Sequence, residues 1–262
     1  MTKFDEATQA IKVDEGVYDV CLDPGYAIGG PLNGGYLMAV MLRAAVDASP
    51  FEHPVSTTAQ FLKAPIAGPA QVRIEPLKAG RTAAFARATL VQDGVAHIEG
   101  LITTATLNGA QPVYEAPADD MPERAECVRL PDPRPESGMT LNAQMELLFD
   151  PPTIGWLKGK PTGRPESRAY FRMAEPQEPD PYVLALAVDA LPPVVFSAGA
   201  RGWAPTVELT WHLRALPAPG WLTLLGGGRL IADGWFDEEV EVRDSAGRLV
   251  AQSRQLARVG RG

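Results

Sequence analysis

The sequence has only two cysteines and three histidines in 262 residues, and charged residues make up only 21% of it. Cys21 and Cys127 lie far apart in contexts that suggest neither a disulfide framework nor a metal knuckle, so reduced thiols are expected. His53, His97 and His212 are not spaced as ligands, and neither a metal nor a cofactor is expected. No stretch approaches the ~20 apolar residues of a membrane-spanning helix. Met1-Thr2-Lys3-Phe4-Asp5-Glu6 lacks the charged-then-apolar order of a secretory leader, which points to a cytoplasmic protein without membrane partners. Basic residues are outnumbered, 24 Lys and Arg against 32 Asp and Glu, for a net charge of −8 with no basic run. That balance repels a phosphate backbone and excludes nucleic acid as an expected partner. No Gly-x-Ser-x-Gly elbow occurs, and Gly226-Gly227-Gly228 leads into strand-like sequence, not a phosphate-binding helix.

What the sequence does have is punctuation: 25 glycines, 25 prolines and 45% hydrophobic residues. Pro and Gly cluster at 23–35, 65–69 and 217–220, between segments rich in strand or helix formers. A Pro-rich polar stretch, 108–140, with Pro112, Pro117, Pro122 and Pro131, divides the chain into 1–107 and 141–262. The two parts repeat. Leu62-Lys63-Ala64, followed by Pro65 and Gly68, returns 151 positions later as Leu213-Arg214-Ala215, followed one position further on by Pro217 and Gly220. Val91-Gln92-Asp93 returns at the same offset as Val242-Arg243-Asp244.

Each part carries one helix signal. Residues 34–48 hold Leu37, Met38, Val40, Met41, Leu42 and Val46 against only Arg43 and Asp47 as charges, and Asn33 precedes them as a candidate N-cap. Residues 181–191 follow Asp180-Pro181, a start signal because the carboxylate accepts orphan N–H groups and Pro has none to lose. Helices apolar nearly all round are enclosed by other structure. Four strand-like runs follow each: 54–63, 70–78, 82–92 and 95–107, then 206–214, 221–225, 234–243 and 248–259. Asp93-Gly94 is a strong hairpin turn. Wrapping sheet around each helix is the economical way to bury it.

With Asn33-Gly34-Gly35-Tyr36-Leu37 at the first helix, Phe61-Leu62-Lys63, Gly80-Arg81-Thr82 and Gln92-Asp93-Gly94 after it, and Thr206-Val207-Glu208-Leu209 and Gly247-Arg248-Leu249-Val250-Ala251 to Gln255 in the second part, the sequence resembles the TesB-like (type II) acyl-CoA thioesterases. The resemblance spans nearly the whole chain. It implies an α+β double hotdog, with an N-terminal hotdog at 1–107, a linker at 108–140 and a C-terminal hotdog at 141–262. Two antiparallel sheets would each wrap a central helix, and the molecule would be a homo-oligomer, a dimer of double hotdogs. It also implies hydrolysis of a fatty or related acyl-CoA in fatty acid metabolism.

The family's hydrolytic set combines an acidic residue, a Gln on the last strand and a Thr between them. By resemblance Glu208 takes the acidic position and Gln255 the Gln position, while the Thr position falls at Gly228 or Arg229, neither of which has a hydroxyl. Alternation places Gln255 on the uncharged face of its strand, and places Glu208 on one face with Thr206, Thr210 and His212. Gly34 and Gly35, behind Asn33, would bring backbone N–H groups to a thioester oxyanion at the positive end of the helix dipole. Arg81, with Arg87 or Lys63, would meet CoA phosphates. The missing hydroxyl leaves a second reading, a double hotdog that binds acyl-CoA or lipid without turnover. A hotdog hydratase is disfavoured because the paired Asp and His of that branch are absent.

Overall fold

The computed structural model describes residues 1–117, 119–132 and 135–260. In chain order a short helix α1 (Lys3–Ala7) precedes strands β1 (Ala10–Asp14) and β2 (Val17–Leu22), helix α2 (Gly34–Asp47), and strands β3 (His53–Phe61), β4 (Gly68–Ala79), β5 (Ala84–Gln92) and β6 (Val95–Ala105). The linker itself carries β7 (Val128–Arg129), and after it come β8 (Met145–Phe149), β9 (Glu166–Met173), helix α3 (Pro181–Ala187), and β10 (Thr206–Leu213), β11 (Leu222–Gly227), β12 (Ile231–Ala232), β13 (Trp235–Arg243) and β14 (Leu249–Arg258).

All the strands described join one antiparallel sheet, ordered β1-β2-β4-β5-β6-β3-β10-β14-β13-β11-β9-β8-β7, with β12 on β13. The order repeats itself. With the two-residue β12 set aside, in each half the strand before the helix, then the second, third and fourth strands after it, and lastly the first strand after it lie side by side. The two strands that directly follow the helices, β3 and β10, pair with each other, Glu208 opposite Gln60 and Leu209 opposite Ala59. The expected two sheets are therefore one, because two edge strands with unpaired backbone groups satisfy each other at the seam.

Helix α2 begins where the Asn33 side chain accepts the Tyr36 N–H, and from Gly35 to Leu42 every residue is buried. Asp180 caps α3 by accepting the N–H groups of Tyr182 and Val183. This helix stops at Ala187, short of the expected Leu191, and the chain turns through Asp189. The two helices pack on each other inside the sheet, and one continuous apolar core runs through both halves. Their contact is close because Gly35 lacks a side chain: a Cβ there would lie 2.4 Å from the Ala185 carbonyl oxygen. Asp93-Gly94 makes the β5–β6 hairpin with both residues at positive φ.

The linker is a strap, not a tether. Glu115 accepts hydrogen bonds from Arg243 and from the Leu249 N–H, at 2.8 and 2.7 Å, and Tyr170 donates to the Pro122 carbonyl. Further along, the Thr140 N–H reaches the Ala27 carbonyl beside the entrance to α2. No helix among the described residues is long and apolar enough to cross a membrane.

Candidate active site

The turn after α3 delivers Asp189 to the N-terminus of α2. Its Oδ2 accepts the Gly35 N–H at 3.0 Å and the Asn33 Nδ2 at 2.9 Å, and Asn33 also donates to the Asp189 carbonyl at 2.7 Å. Orphan N–H groups and the helix dipole both favour an anion there. Burial nevertheless dominates and raises the carboxyl to about 6, against the pull of the Gly35 and Gly34 N–H groups and of Asn33. Asp189 keeps partial solvent exposure. It is a carboxylate poised close to neutrality and still reachable, the condition a general base requires.

The neighbouring groups come from the strands. Gln255 is buried on the inner face of β14, opposite Glu238 on β13 and Leu209 on β10. Its Oε1 accepts the Thr206 hydroxyl at 2.7 Å. Glu238 is only 2% exposed, accepts the Val194 N–H at 2.9 Å, faces Gln255 across the strand register, and lies within electrostatic reach of Asp189. Burial and the nearby Asp189 charge raise its carboxyl to about 8, while the Val194 N–H and Gln255 oppose the shift. Glu238, Gln255 and Thr206 thus line one polar stretch of the inner face with Asp189 within electrostatic reach, and Asp189 and Thr206 are partly exposed.

A β-bulge explains why Thr206 belongs to it. Thr206 pairs with Ala257 and Glu208 with Leu256, so the register shifts by one between them. An extra residue moves the side chains on its two sides to opposite faces. Thr206 therefore joins Gln255 and Ala257 inside, whereas Glu208 faces outward with Thr210, whose hydroxyl it accepts at 2.6 Å.

The same arrangement carries a family signature. Residues 22–108 match the acyl-CoA thioesterase N-terminal domain, and residues 124–259 match the acyl-CoA thioesterase C-terminal domain. The chain belongs to the acyl-CoA thioesterase family. A protein from Thermobifida fusca assigned as a thioesterase II is similar in structure, with a TM-score of 0.92 and 44% identity over 100% of this chain and 98% of that one. An uncharacterized protein of Mycobacterium bovis is 32% identical, covering 97% of this chain and 94% of that protein. A hot dog fold protein of Alicyclobacillus acidocaldarius, at 21% identity and TM-score 0.87 over 100% and 99% of the two chains, shares the fold.

Within this thioesterase-family chain the structure separates Glu208 and Arg81 from Asn33, Gly34, Gly35 and Gln255. Glu208 and Gln255 lie on opposite faces of the sheet and cannot share a water, which removes Glu208 from the site. Gly34 and Gly35 do stand at the site, but Gly35 donates to Asp189 and Asn33 ties that carboxylate to α2, so these donors are already engaged. Gly228 and Arg229 carry no hydroxyl, whereas Thr206 places one on the Gln255 oxygen. Arg81 is exposed on the β4–β5 turn, next to Ala79 and Ala84, which line a small apolar cavity with Ala45 and Ala48 at the far end of α2. Arg87 is paired with Glu75 on the outer face. Lys63 is exposed just past Phe61, whose ring lies over Gly34 at the near end. Sequence reading missed Asp189 and Glu238. Among the described residues no group of His, Cys, Asp and Glu could hold a metal ion.

Proposed function

We propose that this double hotdog is an acyl-CoA thioesterase that hydrolyses fatty or related acyl-CoA to free acid and CoA, with Asp189 as general base and Thr206 and Gln255 holding the attacking water. The observation that carries the reading is Asp189 itself, a partly exposed carboxyl held near neutrality on the N-terminus of α2. As the water oxygen bonds to the thioester carbon, its proton passes to the Asp189 carboxylate. The tetrahedral intermediate collapses with cleavage of the C–S bond. The thiolate leaves with little acid assistance, since a thiol pKa is only about 8.5. The proton on Asp189 then returns to solvent through the exposed end of the site. Lys63, near that end, is the cation best placed for a CoA phosphate.

Non-catalytic binding drew its support from a missing hydroxyl, and Thr206 supplies one. Free-thiol release measured across acyl chain lengths tests the reading: turnover of at least one acyl-CoA is expected, and saturable binding with no thiol released at any length would replace catalysis with carriage.

A further inference from the structure

Glu238 is an acid in apolar company. Val194, Val195, Phe236 and Ala257 form a buried cluster around its stretch of β13, and no arginine or lysine pairs with it among the described residues. The ionisable group that faces it is Asp189, from the turn after α3. Its register partner on β14 is Gln255, flanked on the inner face by Ser253 and Ala257, while β11 passes it with the glycines Gly226 and Gly227. The adjacent Asp237 is turned to the other side and accepts the N–H groups of Arg229 and Leu230. An unpaired buried carboxyl is costly, so its position calls for a use.

The geometry supplies one. One carboxyl oxygen accepts the Val194 N–H, which ties the 189–194 segment to β13. Gln255 is the register partner of Glu238 across β13 and β14, so the carboxyl faces its side-chain amide, whose oxygen accepts from Thr206. A Gln side chain with no acceptor at its NH2 end can rotate and exchange its oxygen for nitrogen. We propose that Glu238 is a positioning residue that fixes the Gln255 amide with its oxygen toward Thr206 and pins the Asp189 turn to the same strand. This rests on the reading of Asp189, Thr206 and Gln255 as the hydrolytic site. Glu238 touches none of the reacting atoms. It acts while protonated, and its ionisation at higher pH adds a second negative charge beside Asp189 where an oxyanion must form.

The test compares Glu238→Gln and Glu238→Ala in the full chain, by kcat and KM from pH 5 to 10 and by the side-chain amide NMR signals of Gln255, assigned through Gln255→Met. Glu238→Gln is neutral at every pH and has the same shape, and its one acceptor oxygen serves the Gln255 NH2 at the expense of the Val194 N–H, so its kcat at pH 7 stays within about fivefold of the wild type, and the loss of activity above about pH 8 disappears. Glu238→Ala frees the amide and lowers kcat about 10- to 100-fold with KM little changed. In the wild type the Gln255 amide signals shift with pH above 7, and in Glu238→Gln they do not. Wild-type kcat in a folded Glu238→Ala protein, or an alkaline limb retained in Glu238→Gln, overturns the proposal. The amide signals need no turnover. A pH shift of these signals in a protein that hydrolyses no thioester upholds the Glu238–Gln255 contact and removes only the catalytic reading. Unmoved signals in an active enzyme remove Glu238 and leave the thioesterase reading standing.

Discussion

The Asp189 carboxylate accepts the Gly35 N–H at 3.0 Å, so a side chain from the second half of the chain occupies the N-terminus of the helix in the first. The first half brings the helix dipole and the second brings the acid, Thr206 and Gln255. Fusion of the halves through β3 and β10 therefore builds the proposed site as well as the sheet.

Around pH 6 activity and stability respond oppositely to pH. Asp189 must be ionised to accept a proton, so kcat/KM rises through about pH 6. Both Asp189 and Glu238 are raised above their unfolded values of 3.8 and 4.5, so the folded chain retains protons that the unfolded chain has lost. Their stabilising contribution is complete below about pH 4 and is lost as pH rises through about 6 for Asp189 and about 8 for Glu238. Urea unfolding is expected to show stability lower at pH 9 than at pH 6 by on the order of a few kcal/mol, and Glu238→Gln flattens that slope. An unchanged slope in the variant contradicts the assignment.

The two glycines at the helix entrance separate stability from chemistry. A Cβ on Gly35 meets the Ala185 carbonyl oxygen at 2.4 Å, a backbone atom that cannot move alone. Gly35→Ala should destabilise by about 1–3 kcal/mol or more and lower Tm. A Cβ on Gly34 meets instead the Phe61 ring edge at 3.0 Å and Asp189 Oδ2 at 3.1 Å. Gly34→Ala should lose more activity than stability. Thermal melts and initial rates on both variants check the contrast.

Thr206→Val removes the donor to the Gln255 oxygen while keeping the side-chain shape. The expected effect is a fall in kcat of about 10- to 100-fold with a modest change in KM. Equal kcat in wild type and variant would take Thr206 out of the mechanism.

Much of this architecture was legible in the sequence, and the misplacements have physical causes. Asn33, Gly35 and the Asp180-Pro181 start mark the helices because capping is a local interaction. The 151-residue repeat lands on equivalent strands, Val91 on β5 and Val242 on β13. Strict alternation put Thr206 and Glu208 on one face, and the bulge between them is a tertiary feature with no glycine to announce it. Asp189 was hidden because the apolar run through Leu191 reads as continuous helix. Its role depends on Gly35, a contact across 154 positions. A buried Glu in Asp237-Glu238-Glu239 looks like any solvated charge run until the Val194 turn closes over it.

Arg43 makes a further cross-half clamp. From α2 it donates to Asp5 at 2.6 Å and to Thr8 at 2.7 Å, and its guanidinium lies 4.1 Å from the Tyr182 ring centre on α3. Arg43→Ala should cost about 1–3 kcal/mol, and Arg43→Lys should recover less than half of it, since an ammonium neither forks nor stacks. Chemical denaturation of both variants measures this, and full recovery by lysine would reduce the contact to simple charge pairing.

The most direct measurement is thiol release from acyl-CoA by wild type, Asp189→Asn and Glu208→Gln side by side. If the carboxyl on the α2 N-terminus is the base, Asp189→Asn lowers kcat by about 10²- to 10⁴-fold, while Glu208→Gln, altered on the outer face, stays near wild type. Loss of activity in Glu208→Gln with Asp189→Asn still active would contradict the account.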